Sequence, residues 1–236
     1  MLLLAGTSGY SYKEWLGAFY PEKLPASEML RYYAERFRTV EINNTFYRMP
    51  AESVLEHWAQ QVPDHFTFTL KAPRRVTHTQ RLREAESSTA EFLRRAGALG
   101  NKLGVVLFQL PPYLKKDLPR LRDFLALLPS GKRFAFEFRN ASWQDDEVYE
   151  LLRSRAAILC VTDTEQGDTP FVATAACGYV RLRRIHYDDE ELRAWAARIA
   201  AQNVAQSYVY FMHEDEALGT RFAQRLDELW AARDAR

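Results

Sequence analysis

The sequence predicts a TIM-type (β/α)8 barrel, read as one domain over residues 1–236. Three observations carry that prediction. Short β-branched or aromatic runs alternate along the chain with segments of helical spacing, the pattern of parallel strands joined by right-handed crossovers. Eight such runs occur in 236 residues, near the short end of the barrel's size range. The first turn, Gly6-Thr7-Ser8-Gly9, lacks the G-x-G-x-x-G spacing that brings a backbone against a pyrophosphate, which argues against a doubly wound dinucleotide fold.

In order, the expected strands are Leu2–Gly6, Thr39–Asn43, Phe66–Lys71, Leu103–Leu110, Arg133–Arg139, Ala157–Asp163, Tyr179–Arg183 and Ser207–Met212. Between them, apolar residues recur at helical spacing. Met29, Leu30, Tyr33 and Phe37 share a face, as do Val54, Leu55 and Trp58. Leu121, Phe124, Leu125 and Leu128 form another, followed by Val148, Leu151 and Leu152, then Leu192, Trp195 and Ile199, and last Phe222, Leu226, Leu229 and Trp230. Ser88-x-x-Glu91 and Ser142-x-x-Asp145 have capping-box spacing, and Asp117 precedes a Pro119 suited to a first helical turn.

Composition narrows the class. With 14 Phe, 12 Tyr and 5 Trp, the chain has too much to bury for a disordered protein. The 32 Lys+Arg against 31 Asp+Glu leave a net charge of +1, without the basic excess of a non-specific nucleic-acid binder. Leu2 to Ala5 is too short an apolar start for a signal peptide or a membrane span. Cys160 and Cys177 form no C-x-x-C pair and read as reduced, buried thiols. The expectation is a cytoplasmic protein with no membrane association.

Side chains alternate faces along a strand, so each strand sorts itself. If Phe134, Phe136 and Phe138 face the helices, then Ala135, Glu137 and Arg139 point inward. The same parity sends Thr39, Glu41 and Asn43, Thr67, Thr69 and Lys71, and Tyr179, Arg181 and Arg183 inward, with Tyr208, Tyr210 and Met212 on the last strand. Gln109 and Asp163 end their strands on the inner face. The polar members lie late in their strands, so Glu41, Asn43, Lys71, Gln109, Glu137, Arg139, Asp163 and Arg181 converge on the carboxyl-end mouth, where barrel enzymes keep their chemistry.

Charged groups inside a barrel cost several kcal/mol each unless paired. Carboxylates beside Lys and Arg suit a small anionic, phosphate- or carboxylate-bearing substrate, held by the cations while a carboxylate moves a proton. Glu137 is the leading acid–base candidate and Glu41 the second. Lys71 is the third catalytic candidate, as a Schiff-base nucleophile if apolar walls desolvate it. The purely structural alternative is an ion-pair plug, with Glu137 on Arg139 and Glu41 on Lys71.

None of the five histidines, His57, His65, His78, His186 and His213, falls at an inward strand position, which excludes a His-rich zinc cluster. His78 alone follows a strand closely enough to reach the mouth. No cofactor is expected; the arrangement left open is a Mg²⁺ or Mn²⁺ on Glu41, Glu137 and Asp163. Aromatics crowd the same end: Tyr10, Tyr12 and Trp15 after the first strand, Phe46 and Tyr47 after the second, Trp143 after the fifth. Of these, Tyr10, Tyr47 and Trp143 are candidates to contact a ligand ring or lid the rim. Arg74-Arg75 and Arg183-Arg184 suit an anion-binding rim.

These loops resemble a known family. Gly6-Thr7-Ser8-Gly9-Tyr10-Ser11-Tyr12 with Trp15 and Phe19-Tyr20-Pro21 is similar to the opening of the YecE-like family, domain of unknown function 72. Thr39 to Tyr47, Phe68 to Lys71, Thr77-His78, Leu103-Gly104 with Leu107 to Pro112, and Glu137-Phe138-Arg139 with Ser142-Trp143 share the likeness. The resemblance implies a TIM-type barrel in a bacterial-style cytoplasmic protein and names no activity. Two runs depart from the family's habit. Arg181-Leu182-Arg183-Arg184 stands where an Arg-x-His-Gly-like run is usual, and Phe211-Met212-His213-Glu214-Asp215 where a Phe-Asn-Asn-Asp-like run is usual.

Three functions follow as expectations. The first is an enzyme, hydrolytic or acid–base, acting on a small anionic compound at the mouth. The second is a nucleic-acid phosphodiesterase-like enzyme, against which the near-zero net charge and the lack of inward histidines weigh. The third is a non-catalytic ligand-binding barrel.

Overall fold

The computed structural model describes residues 1–163, 167–212 and 215–234; His213 and Glu214, at the expected end of the eighth strand, lie outside them. The elements run β1 (Leu2–Thr7), α1 (Met29–Ala34), β2 (Thr39–Ile42), α2 (Glu52–Gln61), β3 (Thr67–Lys71), α3 (Glu86–Ala96), β4 (Leu103–Gln109), α4 (Leu118–Ala126), β5 (Arg133–Glu137), α5 (Asp146–Arg153), β6 (Ile158–Thr162), β7 (Cys177–Leu182), α6 (Asp189–Ala200), β8 (Gln206–Phe211) and α7 (Leu218–Asp234). All eight expected strands are present. They form one parallel sheet in the order β1-β8-β7-β6-β5-β4-β3-β2, curled into a nearly closed TIM-type barrel. Among the described residues no α-helix lies between β6 and β7, and residues 167–176 follow an irregular path. No described helix is long and apolar enough to cross a membrane.

Parity works as expected except on β6, where Ile158 and Cys160 face inward and Leu159 and Val161 outward, so that Asp163 falls off the inner face, contrary to the sequence expectation; two cores result. Val40, Ile42, Phe66, Phe68, Leu70, Phe134 and Phe136 face outward and are buried under the helices. Each such side chain contributes roughly 1.5–3 kcal/mol of hydrophobic burial. The inner core is separate: Leu4, Val105, Leu107, Ala135, Ile158, Cys160, Tyr179, Tyr208 and Tyr210 fill the barrel below its mouth. Tyr210 satisfies the inward threonines, its hydroxyl lying 2.6 Å from Thr39 Oγ1 and 2.8 Å from Thr69 Oγ1. Cys160 and Cys177 are both buried and free, as the sequence suggests.

The barrel closes at a seam between β1 and β2. One parallel bridge joins them, Ser8 to Glu41, where the Gly9 N–H donates to the Glu41 carbonyl at 2.7 Å. Beside it the Tyr33 hydroxyl of α1 enters the gap, accepting from the Thr7 N–H at 2.9 Å and donating to the Thr39 carbonyl at 3.2 Å. A phenol thus replaces a rung of the ladder and satisfies groups that burial would otherwise orphan. Gly6 lets the strands approach here, since a Cβ on it would collide with the Thr39 carbonyl.

Local signals match in part. Asp117 caps α4 by accepting from the Arg120 N–H at 3.1 Å, with Pro119 in the first turn. The two Ser-led boxes are not caps. Ser88 lies inside α3 and hydrogen-bonds Gln80 at 2.5 Å, while Asp145 itself caps α5 through the Glu147 N–H. The capping box that forms is Asp188 with Glu191, at the start of α6. On α2 Val54 is exposed, so its buried face rests on Leu55, with Trp58 half-buried.

Candidate active site

Three inward side chains dominate the mouth. Arg181 on β7 lies between Glu41 on β2 and Glu137 on β5, with Nη2 2.8 Å from Glu41 Oε1 and Nη1 2.5 Å from Glu137 Oε2. All three are buried. The carboxylates are otherwise saturated. Glu41 accepts from Ser8 Oγ, from Asn43 Nδ2 at 3.2 Å and from the Tyr179 hydroxyl at 2.5 Å. Glu137 accepts from Gln109 Nε2 at 2.9 Å on each oxygen, and Arg183 Nη1 stands 3.5 Å from Oε1. Burial pushes both carboxyls up, but Arg181 and these donors outweigh it and hold both below the usual carboxylate range. Burial lowers the affinity of Arg181 for its proton, yet the two carboxylates raise it well above an ordinary arginine.

Lys71, at the end of β3, faces the same mouth. Its ammonium lies 4.5 Å above the Phe46 ring, and among the described residues no carboxylate is within ion-pair distance of it. Arg181 has taken both. Burial, then Arg181, push the Lys71 amine down to about 8, while Glu41 and Glu137 pull the other way. The expected plug pairs are therefore corrected: Glu41 binds Arg181, not Lys71, and Glu137 binds Arg181, not Arg139.

Arg139 is not an inward strand residue. β5 ends at Glu137, and Arg139, two residues on, is exposed at the rim. It lines a cavity of about 390 Å³ above Glu137, together with Arg183, Thr162, Thr169 and Gln144. His78 sits on a single π-helical turn, Arg75–Thr79, which re-aims the chain directly after β3. Its Nδ1 is 2.9 Å from Thr77 Oγ1 and its ring stands edge-on to Phe46 at 5.0 Å. Burial, with Lys71, Arg74 and Arg139 nearby, lowers its pKa.

Other expected members are placed elsewhere. Asp163 is buried but serves the loop after β7, accepting from the Arg183 N–H at 2.5 Å and the Tyr187 hydroxyl at 2.6 Å. Burial raises its pKa against those two bonds. The trio Glu41, Glu137 and Asp163 therefore does not assemble, and no group of three or more His, Cys, Asp or Glu suited to a metal occurs among the described residues. Trp143 is buried in the wall, stacked on Phe138 at 4.7 Å with its indole N–H donating to the Leu114 carbonyl at 2.7 Å. Tyr10 is half-buried against Tyr33 and Trp58, beside a small cavity of about 80 Å³ that also touches Asn43. Tyr47 is exposed.

Sequence reading missed Ser8, Thr169 and Asp168. Ser8 carries a usable signal, since it directly follows a strand whose neighbour presents an inward Glu. Asp168 carries none: it pairs with Arg184 at 2.9 Å and Arg198 at 2.6 Å only because an irregular segment brings it there.

The fold has clear relatives. A DUF72 family protein from Thermotoga maritima MSB8 superposes with a TM-score of 0.85 at 27% identity, over 98% of this chain and 100% of that one. One from Enterococcus faecalis V583 gives 0.81 at 18%, over 98% and 96%. A methyltransferase from Methanosarcina mazei gives 0.58 at 10%, over 99% and 94%, a likeness of fold alone. In sequence, the UPF0759 protein YunF of Bacillus subtilis (strain 168) is 27% identical over 219 residues, 84% of this chain and 76% of that protein. Residues 4–236 match the family described as Protein of unknown function DUF72, and the chain belongs to that family.

Proposed function

We propose that this barrel binds a small anionic molecule, phosphate- or carboxylate-bearing, at its carboxyl-end mouth and moves a proton on it. One observation carries the reading: the cavity over Glu137 is lined by Arg139, Arg183, Thr162 and Thr169, and the other carboxylate in its lining, Asp168, is already paired with Arg184 and Arg198. Guanidinium forks and hydroxyls are the donors that recognise oxyanions. Glu41, Glu137 and Arg181 form the fixed electrostatic floor, positioned by Asn43 and Gln109.

The proton-moving group that the geometry favours is Lys71 rather than either glutamate. An acid–base catalyst works best with a pKa near the working pH. Lys71 meets that condition, whereas Glu41 and Glu137 are ionised and fully bonded. His78 is the second titrating group at the mouth. A non-catalytic ligand-binding barrel draws support from the same saturation of the carboxylates; substrate turnover separates the two readings. The two free, buried thiols suit a cytoplasmic setting, and the opening motif supports the YecE-like label for the family.

The test uses sulfate, whose charge is constant across neutral pH. At ten times its Kd, a ligand specific for the folded state adds about 1.4 kcal/mol, a rise of roughly 3–5 °C in Tm for a chain of this size. Arg139→Ala should abolish the rise, and Arg31→Ala, on the distant α1 surface, should keep it. An equal rise in wild type and Arg139→Ala refutes the site.

A further inference from the structure

We propose that Lys71 is a nucleophile for a carbonyl group, so that the anionic ligand of this mouth is an aldehyde or ketone carrying a carboxylate or phosphate. The inference rests on the anion-binding reading above and specifies its substrate class.

Two features of the mouth make the case. The first is the distribution of partners. Two buried carboxylates share the mouth with Lys71, and Arg181 occupies both, at 2.8 and 2.5 Å. An amine paired with a carboxylate is held as ammonium and has no lone pair to give. The second is the surface against which the amine rests. Lys71 Nζ lies over the Phe46 ring at 4.5 Å, a face that covers one side of the amine and supplies no oxygen to it, although its π cloud attracts the ammonium. The two other lysines that are not exposed provide a contrast. Lys102 is buried with the Pro63 carbonyl and Asp64 as partners, and Lys116 bonds Asp145 and Glu147 at 2.9 and 3.2 Å.

Desolvation and Arg181 act on Lys71 in the same direction, bringing it to about 8. About one amine in ten is then neutral at pH 7, against about four in ten thousand for an unperturbed lysine. His78, whose ring stands against the same Phe46 side chain, is the neighbouring base; burial and the surrounding cations hold it largely neutral.

The step balances without a co-reactant. The Lys71 ammonium gives a proton to His78, and the freed nitrogen pair forms a C–N bond to the carbonyl carbon. The π pair of C=O moves to oxygen, which takes a proton from the nitrogen. His78 returns its proton to that hydroxyl, the C–O bond breaks, and water leaves. The product is a protonated imine carrying the single positive charge that the ammonium carried. Nothing is oxidised or reduced. Arg139 and Arg183 hold the anionic end of the molecule, and the imine withdraws electrons from the adjacent carbon, where a proton or carbon group is then labile.

The probe is glyoxylate, the smallest aldehyde with a carboxylate, added to the folded protein at pH 7.5 with cyanoborohydride. Reduction of the imine leaves one carboxymethyl group, which peptide mass mapping locates. We expect Lys71 to be modified at least tenfold faster than the exposed Lys13, Lys23, Lys115 and Lys132, with sulfate slowing only Lys71. Lys71→Arg should lose this fast modification while keeping its near-ultraviolet circular dichroism and its sulfate-induced Tm rise. Modification of Lys71 no faster than the exposed lysines, with the sulfate response intact, overturns the nucleophile and leaves the anion site standing. Fast modification that sulfate does not slow overturns the anionic character of the substrate. The loss of both overturns both readings.

Discussion

The Arg181 guanidinium and the Glu41 carboxylate meet at 2.8 Å with neither side chain exposed. With Glu137 on its other face, Arg181 sets the electrostatics of the mouth. It fixes two carboxylates in their ionised form and leaves Lys71 without one.

Arg181→Leu removes that clamp and strands two buried carboxylates. Losing one partner of a buried pair costs about 3–5 kcal/mol, so a Tm loss of about 10 °C is expected in a thermal melt near pH 7. The sign with pH follows from the lowered pKa values of Glu41 and Glu137. Their stabilisation is present above the unfolded carboxylate range, near 4.3, and is lost as pH falls through their folded values. The variant's deficit should therefore shrink in acid. A melt unchanged by Arg181→Leu at pH 7 contradicts the clamp.

Lys71→Met should stabilise the protein. Lys71 is depressed in the folded state, so its charged form is penalised fully below about pH 8, and the penalty fades as pH rises toward the unfolded value near 10.4. The variant is expected to gain about 1–3 kcal/mol at pH 7 by urea titration, with the gain falling away by pH 10. A loss of stability at pH 7 would show that Lys71 is a structural cation.

The same titration governs binding. Sulfate keeps its charge between pH 7 and 9 while Lys71 loses its own, so calorimetric titration should show affinity falling several-fold over that interval. In Lys71→Arg the fall should disappear. A pH-independent affinity in the wild type removes Lys71 from the ligand's surroundings.

Tyr33→Phe tests the seam. It leaves the Thr7 N–H and the Thr39 carbonyl buried without their shared partner, a loss of about 1–3 kcal/mol. Hydrogen exchange at the Thr7 amide should accelerate more than at the β7 and β8 amides. Equal protection in both proteins would mean that β1 and β2 are held by other contacts.

Asp227 of α7 accepts from the Ala5 N–H on the open side of β1, and burial pushes it up to about 7. A carboxyl raised in the folded state costs nothing near pH 4 and progressively more as pH rises through 7. Asp227→Asn should therefore melt like wild type at pH 4 and gain about 1–2 kcal/mol at pH 8, after discounting for its partial exposure. An equal difference at both pH values contradicts this origin.

Much of this mouth was legible because period-2 alternation tells which face a side chain takes. Phe134 and Phe136 could not both be outward without placing Glu137 inside, and the same logic placed Glu41, Lys71, Gln109 and Arg181. Parity gives no position along the barrel axis and no partner. Arg139 shares parity with Glu137, yet the strand stops between them, so it stands on the rim. Glu41 had several inward cations to choose from, and the longer reach and forked head of Arg181 span both carboxylates as Lys71 cannot. The π-helical turn under His78 and the irregular segment carrying Asp168 follow no periodic pattern, so the sequence was silent about them.

A crystal structure of the protein soaked in sulfate would show the anion site itself. Tetrahedral density is expected above Glu137, within hydrogen-bond distance of both Arg139 and Arg183, with Arg181 still on its two carboxylates. A mouth without sulfate, in which Arg139 has folded onto a carboxylate of its own chain, would contradict it.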